Sequence, residues 1–299
     1  MKWDKQGLII KPSGEYPWMV SHAMLPIPEW RHDDVFRIYF SGRDANNRSL
    51  TGYAEIDLNC PHQILNMSKQ EILGLGDLGC FDDSGVTPSW IVNNGGKKYL
   101  YYVGWNRRST VRMAEVAGLA VSEDNGESFE RVFKVPILDR TNDEPLTLNA
   151  ATCVLFDQGR WRMWYVSGLE WVHADLPRYR IKYAESEDGQ TWHRPGIVCI
   201  DFASESEHGL ARPCVLFEDG IYKMWYSYKG LNYRIGYAES ADGIIWTRLD
   251  HEVGIDVSSS GWDSEMIEYA YVFNHKGRKY MLYNGNNYGY DGIGLAVSV

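Results

Sequence analysis

Much that would direct this chain elsewhere is missing from it. In 299 residues there is no apolar run near the ~18 residues of a membrane span, so no membrane insertion is expected. The opening MKWDKQGLII carries charges and no apolar signal-peptide core. The five cysteines (Cys60, Cys80, Cys153, Cys199 and Cys214) make no C-x-x-C pair. An odd cysteine count without a signal predicts reduced thiols and a cytoplasmic protein. No basic run is present, and a formal net charge of -10 argues against nucleic acid as a partner. HExxH, P-loop and GxSxG patterns are lacking. GLGDLG at 74–79 fits the dinucleotide pattern, but CFDDSGVTPSW follows it where a helix is required. No cofactor is expected, and no set of metal ligands stands out.

What the chain has instead is aromatic residues: 12 Trp, 20 Tyr and 9 Phe, or 14% of the sequence. Such a content suits half-buried sheet faces, and aromatic rings also stack on the C–H faces of sugars. The aromatics recur with a period. FRIYFSG, KKYLYYVGW, RWRMWYVSG, IYKMWYSYKG and RKYMLYNGN follow one another at intervals of about 60 residues, a repeat length of folded units. Each is preceded by an apolar strand across a Gly or Asp-Gly turn, as in CVLFDQGRWRMWY, which reads as a β-hairpin. A third strand follows (TGYAEI, AGLAVS, IKYAES, IGYAES, IGLAVS). Phrases such as YAESEDGQTWHRPG turn it into a fourth, beginning at Phe129, Trp192 or Trp246. The expectation is an all-β fold: a five-bladed β-propeller with four antiparallel strands per blade, forming one domain over 1–299. The last repeat ends after its third strand. WDKQGLII from Trp3 matches WHRPGIVCI from Trp192, so residues 3–10 are expected to complete the last blade and close the ring.

Propeller topology sorts residues by face. Starts of innermost strands, connections between second and third strands, and links between blades all converge on one mouth. The SEDG turns fall on the other face and read as scaffold. The links are rich in carboxylates, and cleavage of a glycosidic bond needs two of them flanking it. Asp83 and Glu265 rank first as catalytic candidates because each lies at or just before an innermost strand. Glu144 and Glu207, further back in their links, rank second. Substrate-binding candidates at the mouth are His22, Arg43, Trp105, Arg212 and Tyr269; Trp171 and Trp262 are further possible sugar platforms. His22 suits a sugar hydroxyl or proton transfer, and Arg212 a carboxylate or phosphate. A core or surface role is open for each of these residues singly.

The five repeats, the S-x-D-G-x-x-W turns and the inner strands headed by acids resemble the five-bladed propeller glycosidases of glycoside hydrolase families 43, 32, 68, 117 and 130. FDDSGVTPSW, YLYYVGW, ARPCV, MWYSY and GWDSEMIEYAYVF are similar to glycosidase-like proteins associated with bacterial surface-polysaccharide genes, over almost the whole chain. The resemblance implies an enzyme acting on a small carbohydrate or sugar conjugate through paired carboxylates at the mouth. It equally allows a phosphorylase, a transglycosidase, a sugar-nucleotide-processing enzyme or a non-catalytic carbohydrate-binding propeller. For the phosphorylase, Arg107, Arg108 and Arg112 would serve phosphate. The chain departs from the families in carrying His22 where their first inner strand has an acid, and in lacking WMNDP.

Overall fold

A computed structural model describes residues 1–299, and almost all of its regular structure is strand. Strand β1 (Trp3–Ile10) stands apart at the N-terminus. Four successive meanders follow. The first is β2 (Ser21–His32), β3 (Val35–Arg43), β4 (Ser49–Asp57) and β5 (Ile64–Met67). The second is β6 (Gly85–Asn94), β7 (Lys97–Arg107), β8 (Met113–Ser122) and β9 (Glu130–Arg131). The third is β10 (Leu148–Asp157), β11 (Arg160–His173), β12 (Leu176–Ser186) and β13 (Val198–Ile200). The fourth is β14 (Gly209–Glu218), β15 (Ile221–Lys229), β16 (Tyr233–Ser240) and β17 (Thr247–Arg248). A last set has three strands, β18 (Glu268–His275), β19 (Arg278–Asn284) and β20 (Ile293–Ser298). Strand β1 pairs antiparallel with β20, from Trp3 opposite Ser298 to Ile10 opposite Ile293. No helix is long and apolar enough to cross a membrane.

The fourth strands are shorter than the sequence suggests. The segment after Trp192 makes only a bridge, His193 opposite Glu185, before β13 begins at Val198. The sequence there, HRPG, explains the gap. Proline cannot donate to a ladder, and Gly196 sits at a φ of +79°.

The repeated SEDG phrase joins neighbouring units. In 186–191, the Asp188 carboxylate accepts the backbone N–H groups of Gln190 and Thr191, and Ser186 Oγ accepts that of Gly189. Asp242 and Ser240 repeat the arrangement. The turn's glycine carbonyl then accepts a side-chain donor from the preceding unit. Arg37 reaches Gly126, Tyr101 reaches Gly189, and Trp164 reaches Gly243, at 3.1, 2.8 and 2.8 Å. These turn glycines have φ between +73° and +86° and touch their neighbours closely.

A buried cluster also recurs. Phe40, Tyr102, Tyr165, Tyr226 and Tyr283 occupy the same place in successive second strands, and all are fully buried. The four tyrosine hydroxyls donate to carboxylates of the links: Asp82, Glu144, Asp250 and Asp263. Each acid also meets a cation, respectively Arg131, Arg194, Arg248 and Lys5, at 2.6–2.7 Å. In the first unit Phe40 has no hydroxyl, and no link carboxylate bonds there.

The turn contacts yield a stability test. A Cβ on Gly126 would lie 2.1 Å from the Tyr39 hydroxyl, whereas one on Gly159, at a similar φ of +77°, meets nothing within 4 Å. Gly159→Ala should cost about 1–2 kcal/mol, the left-handed penalty alone. Gly126→Ala should cost about 1–3 kcal/mol more for overpacking, read by thermal or urea unfolding. Equal losses would show that the turn is not packed against Tyr39.

Candidate active site

Four of the five first strands carry a bulge whose first residue is left-handed although not glycine. Leu25 of β2, Ala151 of β10, Arg212 of β14 and Tyr269 of β18 have φ between +48° and +56°. Left-handed backbone is costly for a residue with a Cβ, and bulges of this kind re-aim a side chain. All four residues line one cavity of about 610 Å³. The residues just before the left-handed ones, Met24, Ala150 and Ala211, line it too, and so does Thr87 at the matching place in β6. In β18 that place is held by Glu268.

The far wall comes from second-to-third connections. Arg43, Trp105, Arg107, Arg112, Glu115 and Lys229 all lie at or near these connections and line the cavity. Glu115 sits where β8 runs beside β10, its N–H bonded to the Thr147 carbonyl and its Cα opposite Leu148. Trp105 can occupy its place because Gly85 faces it; a Cβ there would fall 1.7 Å from the indole nitrogen. Tyr179, Tyr233 and Tyr288 complete an aromatic side. The Tyr179 and Tyr233 hydroxyls bond each other, and Lys229 donates to Tyr288 Oη at 2.7 Å.

Two carboxyl groups here are unusual. Burial pushes the Glu115 carboxyl up, against the Arg112 charge, while its side chain stays half open to the cavity. Glu268 is fully buried with both carboxyl oxygens unpartnered, and burial pushes it well above the usual glutamate range; Lys229 acts the other way. His22, hydrogen-bonded to Ser21 at 2.9 Å and set edge-on against Tyr290, is pushed down to about 4 by burial and then by Arg43. It is therefore neutral near pH 7.

The sequence-based candidates divide in two. Arg43, Trp105, Arg212 and Tyr269 line the cavity, and His22 stands beside Arg43. The four carboxylates placed in the links do not line it. Glu144 is buried and accepts Tyr165, Ser167, Lys182 and Arg194. Glu207 takes both arms of Arg248. Asp83 accepts from the Gly79 N–H, Ser84 and Asn106 within its own loop region. The Glu265 side chain is exposed. Trp262 packs against Gly285, Gly294 and Tyr283, and Trp171 lies outside the lining. Glu115 was missed because it ends a connection full of arginines and reads as the start of an ordinary strand. Its one signal is parity: Ala114 and Val116 turn inward, so Glu115 faces the other way.

No protein-family model matches the chain. Solved structures do: a "Glycoside hydrolase" at TM-score 0.79 and 21% identity, over 99% of this chain and 91% of that one. Another is a glycosyl hydrolase from Bacteroides ovatus, at TM-score 0.72 and 15% identity over 99% and 92%. A third, a thermostable family-43 glycoside hydrolase, reaches 0.66 at 18% identity over 92% and 88%. The chain thus shares the all-β fold of these solved structures. More narrowly, it belongs to the family of two Mycobacterium tuberculosis proteins, uncharacterized protein MT1551 (strain CDC 1551 / Oshkosh) and uncharacterized protein Rv1502 (strain ATCC 25618 / H37Rv). Each is 44% identical over 299 residues, 99% of either chain.

Opposite pH behaviour separates the two kinds of buried acid. Burial raises Glu144, but hydrogen bonds from Lys182, Ser167 and Tyr165 outweigh it and hold the carboxyl below its usual 4.5. Its contribution to stability is present above that value and lost as pH falls below it. Glu144→Gln should cost about 3–5 kcal/mol at pH 7, the price of stranding Lys182 and Arg194. Glu268 is raised, so stability falls as pH climbs above the usual 4.5. Glu268→Gln should melt higher than the parent at pH 8, with the gap closing toward pH 4. A lower melting point at pH 8 would contradict the unpaired carboxyl.

Proposed function

We propose that the protein is a glycosidase-like enzyme, a single five-bladed propeller over 1–299 with its last blade completed by residues 3–10. The contacts among first strands support five blades: β2 touches β6, β6 touches β10, β10 touches β14, β14 touches β18, and β18 touches β2. The buried clusters support the closure, since Lys5 of β1 plays the part that Arg131 and Arg248 play in fourth strands. Five unpaired cysteines fit a cytoplasmic setting, where a small sugar conjugate such as a polysaccharide precursor would be the substrate.

The observation that carries the reading is Glu115: a carboxyl raised by burial and open to a cavity walled by tyrosines and Trp105. A raised pKa keeps a carboxylic acid protonated to higher pH, as a general acid requires. In this reading Glu115 protonates the leaving oxygen as the glycosidic bond breaks. Glu268, beside Tyr269 and Lys229 and behind the cavity lining, is the second carboxyl. It can activate water or meet the anomeric carbon only when ionised, which burial opposes and the Lys229 charge favours.

Glu115→Gln should lower kcat about 100-fold or more on any glycoside the parent cleaves, with KM little changed, as followed by mass spectrometry of released sugar. The activity of the parent should fall as pH rises through the Glu115 pKa. Asp83→Asn and Glu265→Gln measured alongside decide between cavity and link. Loss in those two with full turnover in Glu115→Gln would transfer the chemistry to the links.

A further inference from the structure

Charge is spread unevenly in this molecule. The chain as a whole has formal net charge -10, yet its cavity is lined by Arg43, Arg107, Arg112, Arg212 and Lys229 against two carboxyls, Glu115 and Asp175. Buried and half-buried arginines elsewhere are neutralised. Arg37 meets Glu55 and Glu127, Arg131 meets Asp82, Arg194 meets Glu144, and Arg248 meets Glu207. None of the five cavity cations has a carboxylate within the 4.0 Å of an ion pair.

Two of the five, Arg107 and Lys229, are satisfied by neutral groups. Arg212, fully buried, donates to the carbonyls of Ser89 and Pro26 and lies over the Tyr271 ring, with its Nε left without an acceptor. Arg107 donates to the Asn46 carbonyl, and Lys229 to Tyr288. Arg43 and Arg112 are not satisfied. Arg43 gives one Nη to Asn47, and its buried Nε has no acceptor. The Arg112 side chain has no protein acceptor at all, its only hydrogen bonds being made by backbone atoms to Ala174 and Arg108. Burial and then the Arg112 charge push Arg43 down, so the two guanidinium groups sit within each other's field. Neutral His22 on the other side adds no charge of its own. Two like charges facing a half-enclosed cavity, with donors left over, are unfavourable until an anion joins them.

We propose that the ligand of this cavity carries an anionic group, a phosphate or a carboxylate, held between Arg43 and Arg112. The fork of each guanidinium matches the oxygens of such a group, and the free donors are those an anion would take. The proposal rests on the cavity being the carbohydrate site and adds the substrate class: an acidic or phosphorylated sugar, or a sugar together with free phosphate.

The test is binding, measured by calorimetry on the Glu115→Gln chain so that turnover does not interfere. Probes are glucose, galactose and mannose, their 6-phosphates, glucuronate, galacturonate and inorganic phosphate. At least one anionic probe should bind about tenfold or more tighter than the neutral sugars, and the preference should shrink with added salt. Arg112→Gln, on the open rim, should abolish the preference with no change in melting temperature. Arg43→Gln should do the same, with its melting temperature recorded to show that it folds. Arg278→Gln, at an exposed arginine that begins β19, should keep it. Binding by inorganic phosphate alone identifies a separate phosphate, whereas binding that needs the sugar places the anion on it. Equal affinity for charged and neutral probes, no binding by any anionic probe, or an undiminished preference in Arg112→Gln overturns the proposal. Anion preference without turnover in the parent would sink the glycosidase reading alone.

Discussion

A carboxylate clamped between a tyrosine hydroxyl and a cation, once in each of the last four units, is the interaction on which the other features hang. A link leaves one unit's outer edge and must return to the centre to start the next first strand. Asp82, Glu144 and Asp263 pin that return to the second strand through tyrosine and to the fourth-strand region through Arg131, Arg194 or Lys5; in the fourth unit Glu207 of the link takes Arg248, while Asp250, just past β17, holds Tyr226 and the same arginine. Buried ion pairs are often no more stabilising than apolar packing, but their geometry is specific. Here that geometry is what starts each first strand at the right height.

Height matters because part of the cavity lining hangs from the starts of those strands. The left-handed residues Leu25, Ala151, Arg212 and Tyr269 recur at one level, and the cavity is the space between them. Backbone strain is spread over four strands. Glu268 adds a second kind of strain, an unpartnered buried acid. Glycine turns and pinned links surround both, and the cavity collects aromatic rings, an open carboxyl and arginines without carboxylate partners.

The architecture was legible in the sequence because it is periodic. The hairpins, the third strands and the partnership of Trp3–Ile10 with the chain's end all follow from comparing repeats, and the structure pairs β1 with β20 as that comparison requires. The topological reading grouped segments that do meet at one cavity, and Arg43, Trp105, Arg212 and Tyr269 are among its lining residues. The role of the carboxylates was not. Glu144 and Glu207 look free in a link until their partners, Lys182, Arg194 and Arg248, are brought from 38 to 50 residues away. Glu115 looks like a surface strand residue until β10 is laid beside β8. Pairing between distant segments, not local pattern, decides which acids are neutralised.

The antiparallel pairing of the first strand with the last also constrains the order in which the molecule can be made. Trp3 meets Ser298, so β1 has no strand to pair with until β20 has been synthesised. Contacts of such sequence separation form late and slowly. During translation the earlier meanders can assemble in sequence while the eight residues of β1 wait unpaired at the N-terminus. The last few residues therefore act as a completion check: a chain truncated before Ile293 has no strand on which β1 can dock.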